Sequence, residues 1–286
     1  MYHNKKMNLK IYTTSLLIIL STFLVNAQVK VTEDIDYIAD SFYSDNKDFL
    51  DIYMPEDKSD VPVIVYFHGG ALLMGDKSWG KDIGLKVAES GIGLVSVNYR
   101  LSPDFQHPAH LDDAADATAW VINNIERYGG NPQKIYIAGY SAGAYLAALL
   151  AIDFSVLQAH DIEQSKIKGT ILISPFLYVE ETAKVRIEKD SIYKTIWGNE
   201  PQNWIEASVT PHILPNRDNI LLIYADGDEA WRKEQNERFA AAMIAAGNLR
   251  VFTEEGPNRN HLSLLTAILK NDDSIINLMS DFVMKE

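Results

Sequence analysis

The sequence predicts an α/β fold, a mostly parallel β-sheet covered by helices on both faces. Three observations predict it. Short runs rich in branched and aromatic residues alternate with stretches of helical periodicity. Most of these runs are apolar throughout and do not alternate, which is how strands buried on both faces read. No Gly/Ser linker, internal repeat or low-complexity tract interrupts residues 28–286, so they are expected to form one domain.

In chain order, strands are expected at residues 50–54, 61–67, 93–99, 134–138, 169–173, 219–224 and 249–252. The first clear helix runs over 110–127. Leu111, Ala114, Ala115, Ile122 and Ile125 share one side of it with Thr118, and it stops at Gly129-Gly130-Asn131-Pro132. A second starts at Ser141 and continues through Ala144, Leu146, Ala147 and Leu150. A third covers 231–246 and ends at Gly247, a helix-terminating residue that tolerates a left-handed backbone. Two more are expected near 261–270 and 273–284. Residues 178–215 break the rhythm, with Tyr193, Trp197 and Trp204 among charges and Pro211 and Pro215 at the close. That stretch reads as a cap inserted over the carboxyl edge of the sheet, where ligands of such sheets bind.

The N-terminus reads as a targeting segment. Lys5, Lys6 and Lys10 precede an apolar run over 16–25 that ends in Val25-Asn26-Ala27. This is the three-part pattern of a secretory signal peptide over residues 1–27, with cleavage expected after Ala27 and export to the periplasm or beyond. The run is short for a bilayer crossing, which takes about 20 residues, so no stable membrane span is expected after cleavage.

Composition narrows the functions. The 286-residue chain carries 26 Lys+Arg against 39 Asp+Glu, a formal charge of −13, with no dense basic patch, so nucleic acid is not an expected partner. It has no cysteine, which excludes a thiol nucleophile, a disulfide scaffold and a zinc-thiolate site.

The strongest local signal is Gly139-Tyr140-Ser141-Ala142-Gly143, between a predicted strand and a predicted helix. Such a turn strains the serine backbone and lifts its hydroxyl above the sheet. The helix N-terminus beside it offers N–H groups to a developing oxyanion. A second signal is His68-Gly69-Gly70-Ala71, directly after the strand that ends at Phe67. Adjacent glycines let the backbone come close to a ligand, so Gly69 and Gly70 are expected to join Ala142 as oxyanion donors. His68 is expected to orient this loop, not to act as the base. A serine hydroxyl needs a base, and the base needs a carboxylate. Of the histidines after Ser141, His160 follows the elbow helix too closely and His212 lies between prolines, which leaves His261. The acid is expected in Asp226-Gly227-Asp228-Glu229, with Asp228 first, Asp226 second and Glu229 third.

Assembled, these residues resemble the α/β-hydrolase superfamily, within it the esterase/lipase group related to hormone-sensitive lipase and to bacterial acetyl and feruloyl esterases. The resemblance begins at Leu50-Asp51-Ile52-Tyr53-Met54-Pro55. It continues through the His-Gly-Gly loop, Gly75-Asp76-Lys77, Asn98-Tyr99-Arg100-Leu101-Ser102-Pro103 and Gly130-Asn131-Pro132 to the elbow, Asp228 and His261. It implies Ser141 as nucleophile, Asp228 as acid and His261 as base, with no metal or organic cofactor. Arg100 is implied to make a structural ion pair. Relatives often carry glycine or tryptophan after His-Gly-Gly, whereas this chain has Ala71-Leu72-Leu73-Met74. Ala71 and Leu72, with Tyr140, are therefore expected to line a substrate pocket. The expected activity is hydrolysis of short-chain acyl, acetyl or feruloyl esters, free or linked to a polysaccharide. Amide cleavage by an arylformamidase or an exopeptidase, and a non-catalytic binding role, are the alternatives.

Overall fold

A computed structural model describes residues 28–38, 46–217, 219–270 and 272–285. The signal-peptide expectation for residues 1–27 lies outside the described residues. The chain alternates strands and helices in the order β1 (Val29–Asp36), β2 (Phe49–Pro55), β3 (Val61–Phe67), α1 (Lys81–Glu89), β4 (Gly93–Val97), α2 (Ala109–Asn124), β5 (Gly130–Tyr140) and α3 (Ala142–Ile152). It continues with α4 (Ser155–Gln158), β6 (Ile167–Ile173), α5 (Val179–Lys189), α6 (Lys194–Trp197), α7 (Pro201–Glu206), β7 (Ile220–Ala225), α8 (Ala230–Ala245), β8 (Val251–Gly256), α9 (His261–Thr266) and α10 (Ser274–Met284).

The strands form one sheet in the order β1-β2-β4-β3-β5-β6-β7-β8. From β4 through β8 every pairing is parallel, while β2 runs antiparallel to both its neighbours. The apolar runs are buried on both faces because each strand feeds two cores. On β3, Val63, Val65 and Phe67 pack into the core that holds α2 and α3, and Ile64 and Tyr66 pack into the core that holds α1 and α10. Burying each such aliphatic side chain is worth about 1.5–3 kcal/mol.

Register then brings the strand ends together. Phe67 pairs with Gly139, Tyr140 with Ile173, Ile173 with Ile223 and Ala225 with Gly256. The residues that follow these strands line up along one edge of the sheet: His68, Ser141, Ser174, Asp226 and, just beyond β8, His261.

Several boundaries differ from the sequence reading. β5 begins at Gly130, because Gly130 pairs with Val61 and the strand bulges before Ile135 takes up its pairing with Val63. β1 was not expected, since its residues are mostly polar, and it pairs only with β2 at the sheet margin. The helix α1 was not expected either. Gly84 sits in its middle, and a Cβ there would lie 2.5 Å from the Tyr53 ring. The stretch 178–215 carries α5, α6 and α7 between β6 and β7. Trp197 there is buried, edge-on to both Tyr145 and Phe176, so its ring fills the core. Trp204 is half-buried and donates its indole N–H to Gly198 O at 3.1 Å.

Candidate active site

Ser141 stands between β5 and α3 with φ 54° and ψ −112°. A serine held at such angles costs about 1–3 kcal/mol, which the surrounding packing must supply. The glycines of the motif explain why the turn closes. A Cβ on Gly143 would lie 2.0 Å from Phe67 O, and one on Gly139 would lie 2.3 Å from the Gly143 backbone. The turn is therefore pressed against the end of β3. Ser141 N–H donates to Ile173 O at 2.8 Å, which ties it to β6 as well.

The Ser141 hydroxyl meets His261 Nε2 at 2.9 Å. His261 is the first residue of α9, and its start is fixed by a reciprocal cap. Asn260 accepts from Ser263 N–H at 2.9 Å, and Ser263 Oγ accepts from Asn260 N–H at 2.7 Å. The other face of the imidazole is held by Tyr140. Its ring stacks on His261 with centroids 5.0 Å apart, and its hydroxyl donates to His261 O at 2.6 Å.

On the far side of His261, Asp228 Oδ1 lies 3.4 Å from Nδ1, long for a hydrogen bond. Between them stands Ser174, at the end of β6. Its hydroxyl donates to Asp228 Oδ2 at 2.7 Å, and its oxygen is 2.8 Å from His261 Nδ1. Ser174 is fully buried with φ 50°. No sequence pattern singles it out, and only the pairing of β6 with β5 and β7 brings it here.

The two aspartates after β7 separate cleanly. Asp228 is buried and faces His261. Asp226 accepts from the N–H groups of Asn258 and Arg259 at 2.8 and 2.9 Å, so it holds the loop leading to His261 and not the imidazole. Glu229 pairs with Lys189 and accepts from Trp231 Nε1.

Burial would raise the Asp228 carboxyl, but the contact with His261 and hydrogen bonds from Ala225 N–H and Ser174 outweigh it and hold the group below the usual carboxylate range. Burial pushes the His261 imidazole down, and Arg232 and Arg186 push the same way, against Asp228. The imidazole is therefore a free base at neutral pH. Arg232 lies on α8, buried, and donates to Ser174 O at 3.1 Å. Arg186, from α5, stacks over Phe176 at 4.7 Å, and burial with the nearby Arg232 lowers it to about 10.

The His-Gly-Gly loop lies beside the serine. A Cβ on Gly69 would meet the Tyr140 ring at 2.7 Å, and Gly70 has φ 114°, open to glycine alone at little cost. Among the described residues, the N–H groups of Gly69, Gly70 and Ala142 donate no turn, loop or cap hydrogen bond. His68 is fully buried, stacked on Tyr99 at 4.3 Å, with Nδ1 2.7 Å from Gly69 O. Burial pushes it down to about 4, so it is neutral and donates that bond.

The residues expected to line a pocket differ in exposure. Ala71 is half-buried and Met74 is largely exposed beside the loop. Leu72 is fully buried in the core and cannot wall an open pocket. Tyr140 is buried, with both its ring and its hydroxyl in contact with His261. Arg100 makes a bidentate pair with buried Asp113 at 2.6 and 2.9 Å, well away from the serine in role.

Fold and site together define a class: a doubly covered parallel sheet with serine, histidine and carboxylate at its carboxyl edge. The sequence profile of the alpha/beta hydrolase fold family matches residues 64–261, and the chain belongs to that family. It is similar to a probable isoprenylcysteine alpha-carbonyl methylesterase of Oryza sativa subsp. japonica, 25% identical over 244 residues. That match covers 79% of this chain and 58% of the rice protein, so the chain spans little more than half the length of that curated relative. It is similar to kynurenine formamidase of Salmo salar, 26% identical over 80% of this chain and 76% of that protein. Among solved structures, a Pyrobaculum calidifontis esterase superposes with a TM-score of 0.72 at 25% identity, covering 90% of this chain and 85% of the other.

Proposed function

We propose that this protein is a serine hydrolase of carboxylic esters. The observation that carries the reading is the 2.9 Å contact between the hydroxyl of a backbone-strained Ser141 and the Nε2 of His261. In the proposed reaction, Ser141 Oγ attacks the ester carbonyl while its proton passes to His261 Nε2. The oxyanion of the tetrahedral species sits against the N–H groups of Gly69, Gly70 and Ala142. The protonated imidazole then gives its proton to the leaving alcohol, and water releases the acyl group by the same steps in reverse. Each oxyanion donor is worth about 3 kcal/mol of barrier. The half-buried Ala71 and exposed Met74 favour a small or apolar acyl group, such as acetyl, short-chain acyl or feruloyl.

A formamide bond is the second reading. Likeness to a kynurenine formamidase over most of both chains favours it, and the same serine and base would serve. The test is initial rates on p-nitrophenyl acetate, butyrate and octanoate, methyl ferulate, acetylated xylan and an aryl formamide. Wild type is run beside Ser141→Ala and His261→Ala. Ester turnover lost in both variants is expected; turnover of the formamide alone would move the assignment to amides. Export is proposed with it, on the lysine-headed apolar segment before Gln28. N-terminal sequencing of the mature protein should begin at Gln28, and a start at Met1 or Met7 would exclude cleavage.

A further inference from the structure

We propose that Ser174 is a positioning residue of this site, whose hydroxyl links His261 to Asp228 and carries the carboxylate's hold on the imidazole. The inference rests on the serine-hydrolase reading above. The distances set it apart from a direct histidine–carboxylate pair. Ser174 Oγ is 2.8 Å from Nδ1 and 2.7 Å from Asp228 Oδ2, whereas Nδ1 and Asp228 Oδ1 are 3.4 Å apart. Among the described residues, Oδ1 is buried with no hydrogen-bond partner, while Oδ2 accepts from both Ser174 and Ala225 N–H.

Proton bookkeeping fixes the direction of the chain. An ionised carboxylate only accepts, so the single Ser174 proton points to Asp228 Oδ2. The Ser174 oxygen then has lone pairs free for a donor, and the donor beside it is Nδ1–H. That places the imidazole proton on Nδ1 and leaves the Nε2 lone pair facing the Ser141 hydroxyl. When Nε2 takes the Ser141 proton, the positive charge is met by the chain Nδ1–H to Ser174, Ser174 O–H to Asp228. Hydrogen bonds to ionised groups are the stronger ones, so the chain tightens as the charge develops. Asp228 stays ionised throughout, and no proton crosses Ser174.

The fold holds Ser174 for this. Its N–H donates to Ile223 O at 2.7 Å, and its carbonyl accepts from Arg232 Nη1 at 3.1 Å. Its φ of 50° lies in the left-handed region, which a serine adopts only under strain. A glycine would sit there without that strain, yet the position carries a hydroxyl.

The relief of strain supplies the test. Ser174→Gly and Ser174→Ala both remove the hydroxyl, but only alanine keeps the backbone penalty. Urea unfolding, kcat, KM and the pH profile of kcat/KM are measured for both on p-nitrophenyl acetate, beside wild type and Ser141→Ala. Of the other groups facing His261, Arg232 on α8, Arg186 on α5 and the Tyr140 ring are unchanged, while Asp228 loses the hydrogen bond from Ser174 and keeps the one from Ala225 N–H. Both variants are expected to lose kcat by about 10–100-fold, the scale seen when the hydrogen-bond partner that orients a metal-bound histidine is removed. KM should hardly change. The acid limb should move to lower pH, because the imidazolium loses its nearest acceptor. Glycine and alanine should lose alike although their stabilities differ. A folded Ser174→Gly enzyme with wild-type kcat, or with an acid limb unmoved or moved up, overturns the proposal. So does a loss of kcat that follows stability, large in alanine and absent in glycine. If wild type turns over and Ser141→Ala does not, those results count against Ser174 alone. If wild type hydrolyses none of the esters or amides, the serine-hydrolase reading fails and the role of Ser174 falls with it.

Discussion

Asp226 and Asp228 stand two residues apart and hold different things, a loop backbone and an imidazole. Exchanging each in turn separates them. Asp228→Asn should lower kcat by about 10⁴-fold, the scale seen when a triad histidine loses its charged partner and its tautomer. Asp226→Ala should cost less, since the imidazole keeps Asp228 and Ser174 and only the loop loosens. Single-turnover rates with p-nitrophenyl acetate would measure both. The pH profile belongs to the same scale. The active form is the neutral imidazole, and burial lowers the His261 pKa, so the active form persists below the ordinary imidazole value of about 6.5. The acid limb of kcat/KM should have its midpoint below that value. A midpoint above it would mean that Asp228 outweighs burial and the two arginines.

Among elements, the α5 helix reaches the site electrostatically. Its Arg186 stacks on Phe176 and contributes to keeping His261 deprotonated. Arg186→Met keeps most of the side chain's bulk and removes the charge. The acid limb should then move up toward the ordinary imidazole range, read in the same pH profile. The elbow is constrained in another way. Gly143→Ala would press a methyl group against the Phe67 carbonyl, a backbone atom that cannot rotate away. Overpacking of this kind costs about 1–3 kcal/mol or more, and urea unfolding should show it. Elements also differ in how far the sequence announces them. The β3, β6 and β7 runs are apolar because both faces are covered, so they are legible. The β1 strand pairs on one side only and keeps polar side chains, so its pattern is that of a loop. Ser141 is legible because a strained turn demands glycines around it. His261 and the acidic segment 226–229 follow from chain order, whereas Asp228 is favoured over Asp226 only by its place further past the strand end. Ser174 is not legible, because its role depends on three strands in register and on nothing beside it in sequence.

Across the whole molecule, the sheet's carboxyl edge gathers residues from five strand ends, and the rest of the fold keeps that edge in place. The Arg100–Asp113 pair helps to do so behind β4. Asp113 is almost fully buried, and burial raises its carboxyl against the pull of Arg100. Arg100→Ala would leave an unpaired buried charge and should destabilise the fold by about 3–5 kcal/mol at neutral pH. The loss should shrink as pH falls and Asp113 protonates, and urea unfolding at two pH values would measure it. The clamp between Tyr140 and His261 has a consequence in time. Nucleophile and base lie 120 residues apart, and the residue before the nucleophile grips the base by ring and hydroxyl. Neither can be set before the chain's last helices dock. On dilution from urea, helical signal should return ahead of activity, and the lag between them should report the docking of α9 onto an already formed elbow.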